Sequence, residues 1–284
     1  MSDESLNAEL LVNQNNVSVK GVTTRSTIEE IYWWKINEGT GSALDYGTAG
    51  NDMVSHSTFW ATGGKVWDPI FTFNGSTSYL QMNGMSDISL DTAGTFSAWV
   101  YLNGDNNALN LIFNVQNYVL STYLGLYCST VGATTTWAAG LVADGTALWD
   151  FMYSGGSPID TWVHVVLTHD GTTPKLYING TNVNITFNVE TDKTAWMKTM
   201  FEASSIPKKI LLGGLKIRST PYYLLRGKLQ DFRYINYDAG QDGVDYLYNS
   251  GNGITLALKY NNFNPVGNPQ YEIITNQNNL TILE

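Results

Sequence analysis

The feature that most constrains this chain is a two-residue alternation of apolar and polar side chains, in short runs separated by Gly, Asn, Asp and Ser. Residues 95–102 (TFSAWVYL), 109–115 (LNLIFNV), 147–153 (ALWDFMY), 161–168 (TWVHVVLT) and 175–178 (KLYI) all read this way. Period two with β-branched and aromatic enrichment is the pattern of strands. The Asp170-Gly171 and Asn179-Gly180 steps supply the positive-φ residues of tight hairpins. Many short strands with regular turn signals predict an all-β sandwich or jelly roll of two antiparallel sheets. Phe96, Val100, Val163, Val165, Leu167, Leu176 and Ile178 are its expected core, because alternate residues share a strand face. Trp99 and His164 fall on the opposite faces, where a sheet-covering ring and a neutral, hydrogen-bonded imidazole are expected.

One short helix is expected near residues 241–249. Val244, Leu247 and Tyr248 stand at i, i+3 and i+4, and Gly251 follows as a stop. The chain divides into a polar N-terminal arm (1–28), a folded domain (29–253) and an Asn-rich C-terminal extension (254–284). The arm contains an alternating stretch, 16–22, that reads as extended. In the extension, 254–258 and 271–274 are each apolar enough for one strand.

Composition removes several classes of function. Only 14% of the residues are charged and the formal net charge is −10, against roughly 25% charged in an average globular protein. An acidic chain repels phosphate, so nucleic acid is not an expected partner. A single cysteine, Cys128, forms no intrachain disulfide and reads as a small buried thiol. The N-terminal MSDESLNAELLVNQNN has no basic segment followed by an apolar run, so no export signal is expected. No stretch approaches the ~18–20 apolar residues that span a bilayer, and membrane insertion is not expected. Asn, Ser, Thr and Gly take over the solubilising work of Lys and Glu, which suits an extracellular setting or a packed assembly.

Read in order, a series of fragments resembles the laminin-G-like branch of the concanavalin A-like lectin/glucanase superfamily over most of residues 31–253. The series begins with Trp33-Trp34 and the Glu38-Gly39 turn. It continues through the Asp45 loop (ALDYGTAGND), Phe71–Leu80 (FTFNGSTSYL), Phe96-Ser97-Ala98-Trp99-Val100 and Trp162-Val163-His164-Val165. Leu211-Leu212-Gly213-Gly214, Gln230-Asp231-Phe232-Arg233-Tyr234 and Leu247-Tyr248-Asn249 close it. The resemblance implies a concanavalin A-like jelly roll.

It also implies sites to test against the residues. The enzymatic branch uses two glutamates on one strand in an E-x-D-x-x-E pattern, and retaining hydrolysis needs carboxyls ~5–5.5 Å apart. Here Glu190-Thr191-Asp192 is followed by Ala195, and Asp150 has no second carboxylate on its strand. The dyad is therefore missing, and a non-enzyme is expected. Relatives hold a structural calcium at the sandwich edge. The corresponding run is Gln230-Asp231, with Gln230 standing where a charged ligand is usual, and Asp45, Asn51 and Asp52 could supply other oxygens; the other reading pairs Asp231 with Arg233 or a neighbouring strand. Glycan binding would use exposed rings, and Trp137, Trp196, Tyr222 and Tyr223 are the candidates.

The expected function is a non-catalytic, lectin-like structural or adhesion protein on the surface of a virus or phage particle. Its partners would be other protein chains of the assembly, held through the terminal arms, together with surface glycans; a homo-oligomer is expected. Two alternatives stay open: a free glycan-binding adhesin at a cell surface, and a glycoside hydrolase that has lost its carboxylate dyad.

Overall fold

The alternation is realised in two antiparallel eight-stranded sheets. The computed structural model describes residues 9–13, 16–20, 30–57, 59–104, 109–131, 134–255, 272–276 and 279–283. In the front sheet the strands run in the order Thr186–Glu190, Thr146–Tyr153, Thr134–Ala143, Tyr123–Val131, Leu109–Asn117, Lys208–Leu212, Tyr79–Asn83 and Val54–His56. In the back sheet the order is Thr181–Asn182, Pro174–Ile178, Trp162–His169, Gly94–Leu102, Arg226–Ile235, Ile70–Asn74 and Trp60–Ala61, with Glu30–Trp34 also paired to Arg226–Ile235. Asn179 and Gly180 both take positive φ (49° and 80°), which closes the hairpin expected there.

All seven expected core residues are buried. The two sheets meet through aromatic rings: Phe96 of the back sheet stacks on Phe113 of the front at 4.4 Å, and Phe232 contacts Phe113 at 5.5 Å. The expected helix is present at Gly240–Tyr248 and packs Val244 against Val166 and Tyr177. A second helix, Met197–Ala203, buries Met197 and Met200. The periodicity did not announce it because it is only two turns long and follows directly on Trp196.

The expected extended stretch in the N-terminal arm is a strand over Asn16–Lys20. It pairs with Glu9–Asn13 as an antiparallel hairpin, so one of its two edges is taken by its own chain. Residues 21 and 22 lie outside the described residues. Near the C-terminus Glu272–Asn276 pairs with Asn279–Leu283. Ile254 and Thr255 are not in a strand, and residues 256–258 lie outside the described residues.

A buried ion network ties the first domain strand to the last. Arg233 donates to Glu30 and, at 2.8 Å, to Asp231 Oδ1, which also accepts Trp33 Nε1 at 2.7 Å. The guanidinium lies 4.2 Å from the Trp33 ring centre and also donates to the Ile254 carbonyl. Asp231 reaches this position because it bulges out of its strand at φ 54°, and its N–H turns aside to the Lys35 carbonyl.

His164 is as expected a neutral structural imidazole. Its Nε2 pairs with Ser97 Oγ at 2.9 Å, and its ring packs 4.9 Å from that of Trp99. Full burial, reinforced by the nearby Arg233 charge, pushes its pKa down to about 3. A histidine depressed in the folded state contributes stability above its unfolded value and loses it as pH falls. Denaturation midpoints should therefore decline as pH drops from about 6.5 towards 3, and His164→Gln should flatten that decline. An unchanged slope in the variant would assign the acid sensitivity to other groups.

Candidate functional site

With the inner faces consumed by the core, what remains to be specified is the outer face of the front sheet. Along Tyr123–Val131 the alternation sends Leu124, Leu126 and Cys128 into the core and leaves Tyr123, Gly125 and Tyr127 on the other face. Along Thr146–Tyr153, Trp149 and Phe151 face inward and Asp150 and Met152 outward. The strand register lines up Asn114, Gly125, Gly140 and Asp150 in one row across the sheet. Two glycines side by side make a strip with no side chains. Tyr123 and Tyr127 stand on either side of it, about 13 Å apart along the strand.

Polar groups lean over both ends of this strip. A Cβ on Gly125 would lie 3.0 Å from Asn114 Oδ1, and one on Gly140 would lie 3.1 Å from Asp150 Oδ2. Asn188 donates to Asp150 Oδ1 at 2.7 Å, and no hydrogen bond reaches Oδ2 from the described residues. Burial first, and then the Asp150 charge, raises the pKa of both tyrosines. Their hydroxyls therefore stay protonated and can donate or accept. The result is a glycine strip flanked by two half-buried tyrosines, with Gly125 buried beside the Asn114 side chain and the Asp150 carboxylate leaning over Gly140. A pyranose ring needs such a surface: apolar area for its face and directional groups for its hydroxyls.

Beside the strip, the hairpin of Leu215–Ile217 and Thr220–Tyr222 folds over the same face. It is fixed there by Gln116, whose Oε1 accepts the Lys216 N–H at 3.0 Å and whose Nε2 donates to the Lys216 carbonyl at 2.5 Å. Beyond the hairpin lies a surface cavity of about 340 Å³ bordered by Tyr118, Ile206, Lys208, Lys209, Lys216 and Arg218.

The residues singled out in the sequence fare differently. Trp137 and Trp196 are corrected: they are 0% and 1% exposed and cannot stack on a ligand. Trp137 Nε1 donates to Ser157 Oγ at 2.8 Å, and Trp196 stacks on His169 at 4.9 Å. Tyr222 and Tyr223 are exposed, 44% and 53%, with ring centres 6.5 Å apart on the covering hairpin.

The three candidate calcium ligands are engaged by their own chain. Asp45 accepts the N–H groups of Trp33, Gly47 and Asn51 at 2.8–2.9 Å. Gln230 clamps the 65–67 loop, accepting from Lys65 and Val66 at 2.8 Å and donating to the Trp67 carbonyl at 2.7 Å. Asp231 belongs to the Arg233 network. Among the described residues no three acid, histidine or cysteine side chains gather as a metal-ligand group.

Glu190 is paired with Lys193 at 2.7 Å, and Asp192 Oδ1 accepts from Thr194. Neither has a carboxylate partner among the described residues. Sequence reasoning did not bring Tyr123, Tyr127 and Asp150 together on one face, and it missed the basic cavity. The cavity did leave a signal: between Glu202 and Asp231 the chain carries Lys208, Lys209, Lys216, Arg218, Arg226 and Lys228 and no carboxylate.

The fold is a sandwich of two antiparallel β-sheets. Residues 74–205 match a laminin G-type family model described as the concanavalin A-like lectin/glucanases superfamily, which is the resemblance read from the sequence. The similar solved structures include the receptor-binding domain of botulinum neurotoxin C/D mosaic serotype (TM-score 0.55, 12% identity, 78% of this chain and 51% of that one). The binding domain of serotype D aligns with TM-score 0.54 at 12% identity, over 78% and 52% of the two chains. Botulinum neurotoxin type C, whose cell entry is dependent upon interaction with two ganglioside molecules, aligns with TM-score 0.55 at 14% identity, over 78% and 51%. This chain thus spans about half the length of those structures, and at such identities the likeness shows the fold alone. No curated protein matches the sequence. Among the described residues no helix is long and apolar enough to cross a membrane.

The burial of the two tryptophans has a direct consequence. Trp137→Ala and Trp196→Ala should each cost about 3–5 kcal/mol of folding stability, whereas Tyr222→Ala should stay within about 0.5 kcal/mol. Urea denaturation measures all three, and a near-neutral Trp196→Ala would contradict the placement.

Proposed function

We propose that the chain is a non-catalytic, lectin-like binding protein that receives a glycan on the outer face of its front sheet. The observation that carries this reading is the Gly125–Gly140 strip between Tyr123 and Tyr127, with Asp150 Oδ2 available at its end. Asp150 is the sole carboxylate on the seven front-sheet strands other than the edge strand Thr186–Glu190, whose Glu190 is tied to Lys193. A retaining or inverting hydrolase needs two. The similar structures are receptor-binding domains, which supports a binding role on this fold.

The test is a glycan array with the full chain. Tyr127→Ala should remove binding, and Gly140→Leu should remove it by filling the floor, both with an unchanged far-ultraviolet spectrum. No reducing sugar should be released from β-glucans. Binding untouched by both variants, or turnover that vanishes in Asp150→Asn, would overturn the reading.

For the setting, the proposal is the exterior of a virus or phage particle, in a homo-oligomer attached through the terminal segments. Low charge and a polar, hydrogen-bonding surface tolerate close neighbours, and an edge strand can accept another chain's strand. Deleting residues 1–28 should leave the sandwich folded but abolish incorporation into particles. A truncated chain that assembles like the full one would contradict this.

A further inference from the structure

The chain as a whole is acidic, yet one of its cavities is basic. Lys208, Lys209, Lys216 and Arg218 border it, no carboxylate is among the residues that line it, and none of the four is in an ion pair among the described residues. The chain has 15 basic residues against 25 acidic ones, so four together without an acid is not a solvated mixed surface.

The four play different parts. Lys208 is buried, and its ammonium donates to the Ser204 and Ile206 carbonyls at 2.7 and 2.8 Å, which holds the rim in place. Lys209 is nearly buried, with its ammonium 5.8 Å from the Tyr118 ring centre. Lys216 donates to Tyr79 Oη at 3.1 Å. Arg218 is exposed at the hairpin turn with φ 55°, a conformation unusual for a residue with a side chain. Burial pushes the Lys209 pKa down, and the Lys216 charge pushes it further, so Lys209 and Lys216 crowd each other with no carboxylate among the lining residues. An anion in the cavity would relieve that crowding. Arg218 would supply a fork suited to a carboxylate or sulfate, and Tyr118 and Ile206 would supply apolar area for the ring that bears it.

The cavity also has a place relative to the glycine strip. The register runs Asn83, Lys209, Gln116, Tyr123 across one row. Lys209 and Tyr123 are thus two strands apart, about 10 Å, with the Lys216 backbone between them. We propose that this cavity binds the acidic group of an anionic sugar, a carboxylated or sulfated pyranose, so that the protein selects acidic over neutral glycans. The sugar part of this proposal rests on the lectin reading above; the anion part rests on the cavity alone.

The experiment uses the full chain on an array that pairs each neutral oligosaccharide with its sialylated, uronate-bearing and sulfated versions. Alongside it, sodium sulfate is titrated while backbone amide shifts are followed. Acidic members should bind in preference, the split between carboxylate and sulfate versions naming the group. Arg218→Gln and Lys209→Gln should each weaken binding by about tenfold to a hundredfold, the worth of a charge-assisted hydrogen bond. Raised salt should weaken it as well. Preferential binding of neutral glycans would overturn the anion proposal and leave the lectin reading standing. Sulfate shifts at Lys209, Lys216 and Arg218 without any glycan bound would keep the anion site and overturn the lectin reading. Neither glycan nor sulfate response would overturn both.

Discussion

A single guanidinium closes this fold. Arg233 sits fully buried between Glu30 and Asp231, under the ring of Trp33, and reaches the Ile254 carbonyl. The first strand of the sandwich, its last strand and the segment after the final helix are thereby joined at one point. A buried charge set of this kind adds little over a well-packed apolar one, but removing one member costs about 3–5 kcal/mol because the others are left uncompensated. It acts as a lock on register: Asp231 can meet Arg233 and Trp33 only by bulging at φ 54°. The same contacts leave Asp231 Oδ1 engaged by both Arg233 and Trp33.

With the chain ends of the domain locked and the inner faces filled by Phe96, Phe113 and Phe232, the outer face of the front sheet is free to vary without cost to the core. Two choices there shape what the protein can do. The paired glycines remove side chains where a ring would lie, and Asn114 and Asp150 lean into the space so created. The 215–222 hairpin, pinned by Gln116, then raises a wall that separates the strip from the basic cavity. One face therefore offers an aromatic, hydroxyl-rich surface and a cationic one within about 10 Å. An acidic oligosaccharide presents the complementary pair of surfaces.

Much of the architecture was legible because period two is a direct statement about faces. Phe96, Val100, Val165 and Leu167 could be placed in the core, and His164 opposite them, from alternation alone. The same logic left the tryptophans ambiguous. Trp137 stands at an alternating strand position, where a ring reads equally well as covering a sheet or filling it until the register is known, and Trp196 lies outside the strands, just before the helix Met197–Ala203, where alternation says nothing about burial. The strip was out of reach for a related reason. Gly125 and Gly140 are fifteen residues apart in sequence, and only the hairpin register brings them side by side. The basic cavity was within reach, since the run from Lys208 to Lys228 without a carboxylate stands out in a chain of net charge −10. What the sequence lacked was the hairpin that folds Lys216 and Arg218 back towards Lys209.

The central claim is that recognition takes place on the outer face of the front sheet rather than on the loops at the sandwich edge. The most direct measurement is a crystal structure of the full chain with the best-bound array glycan. The account predicts one sugar ring over Gly125 and Gly140 between Tyr123 and Tyr127, and a second, acid-bearing ring of the same glycan in the cavity of Lys209 and Arg218. A glycan held instead by the edge loops around Asp45 and Gln230, with the front face empty, would contradict it.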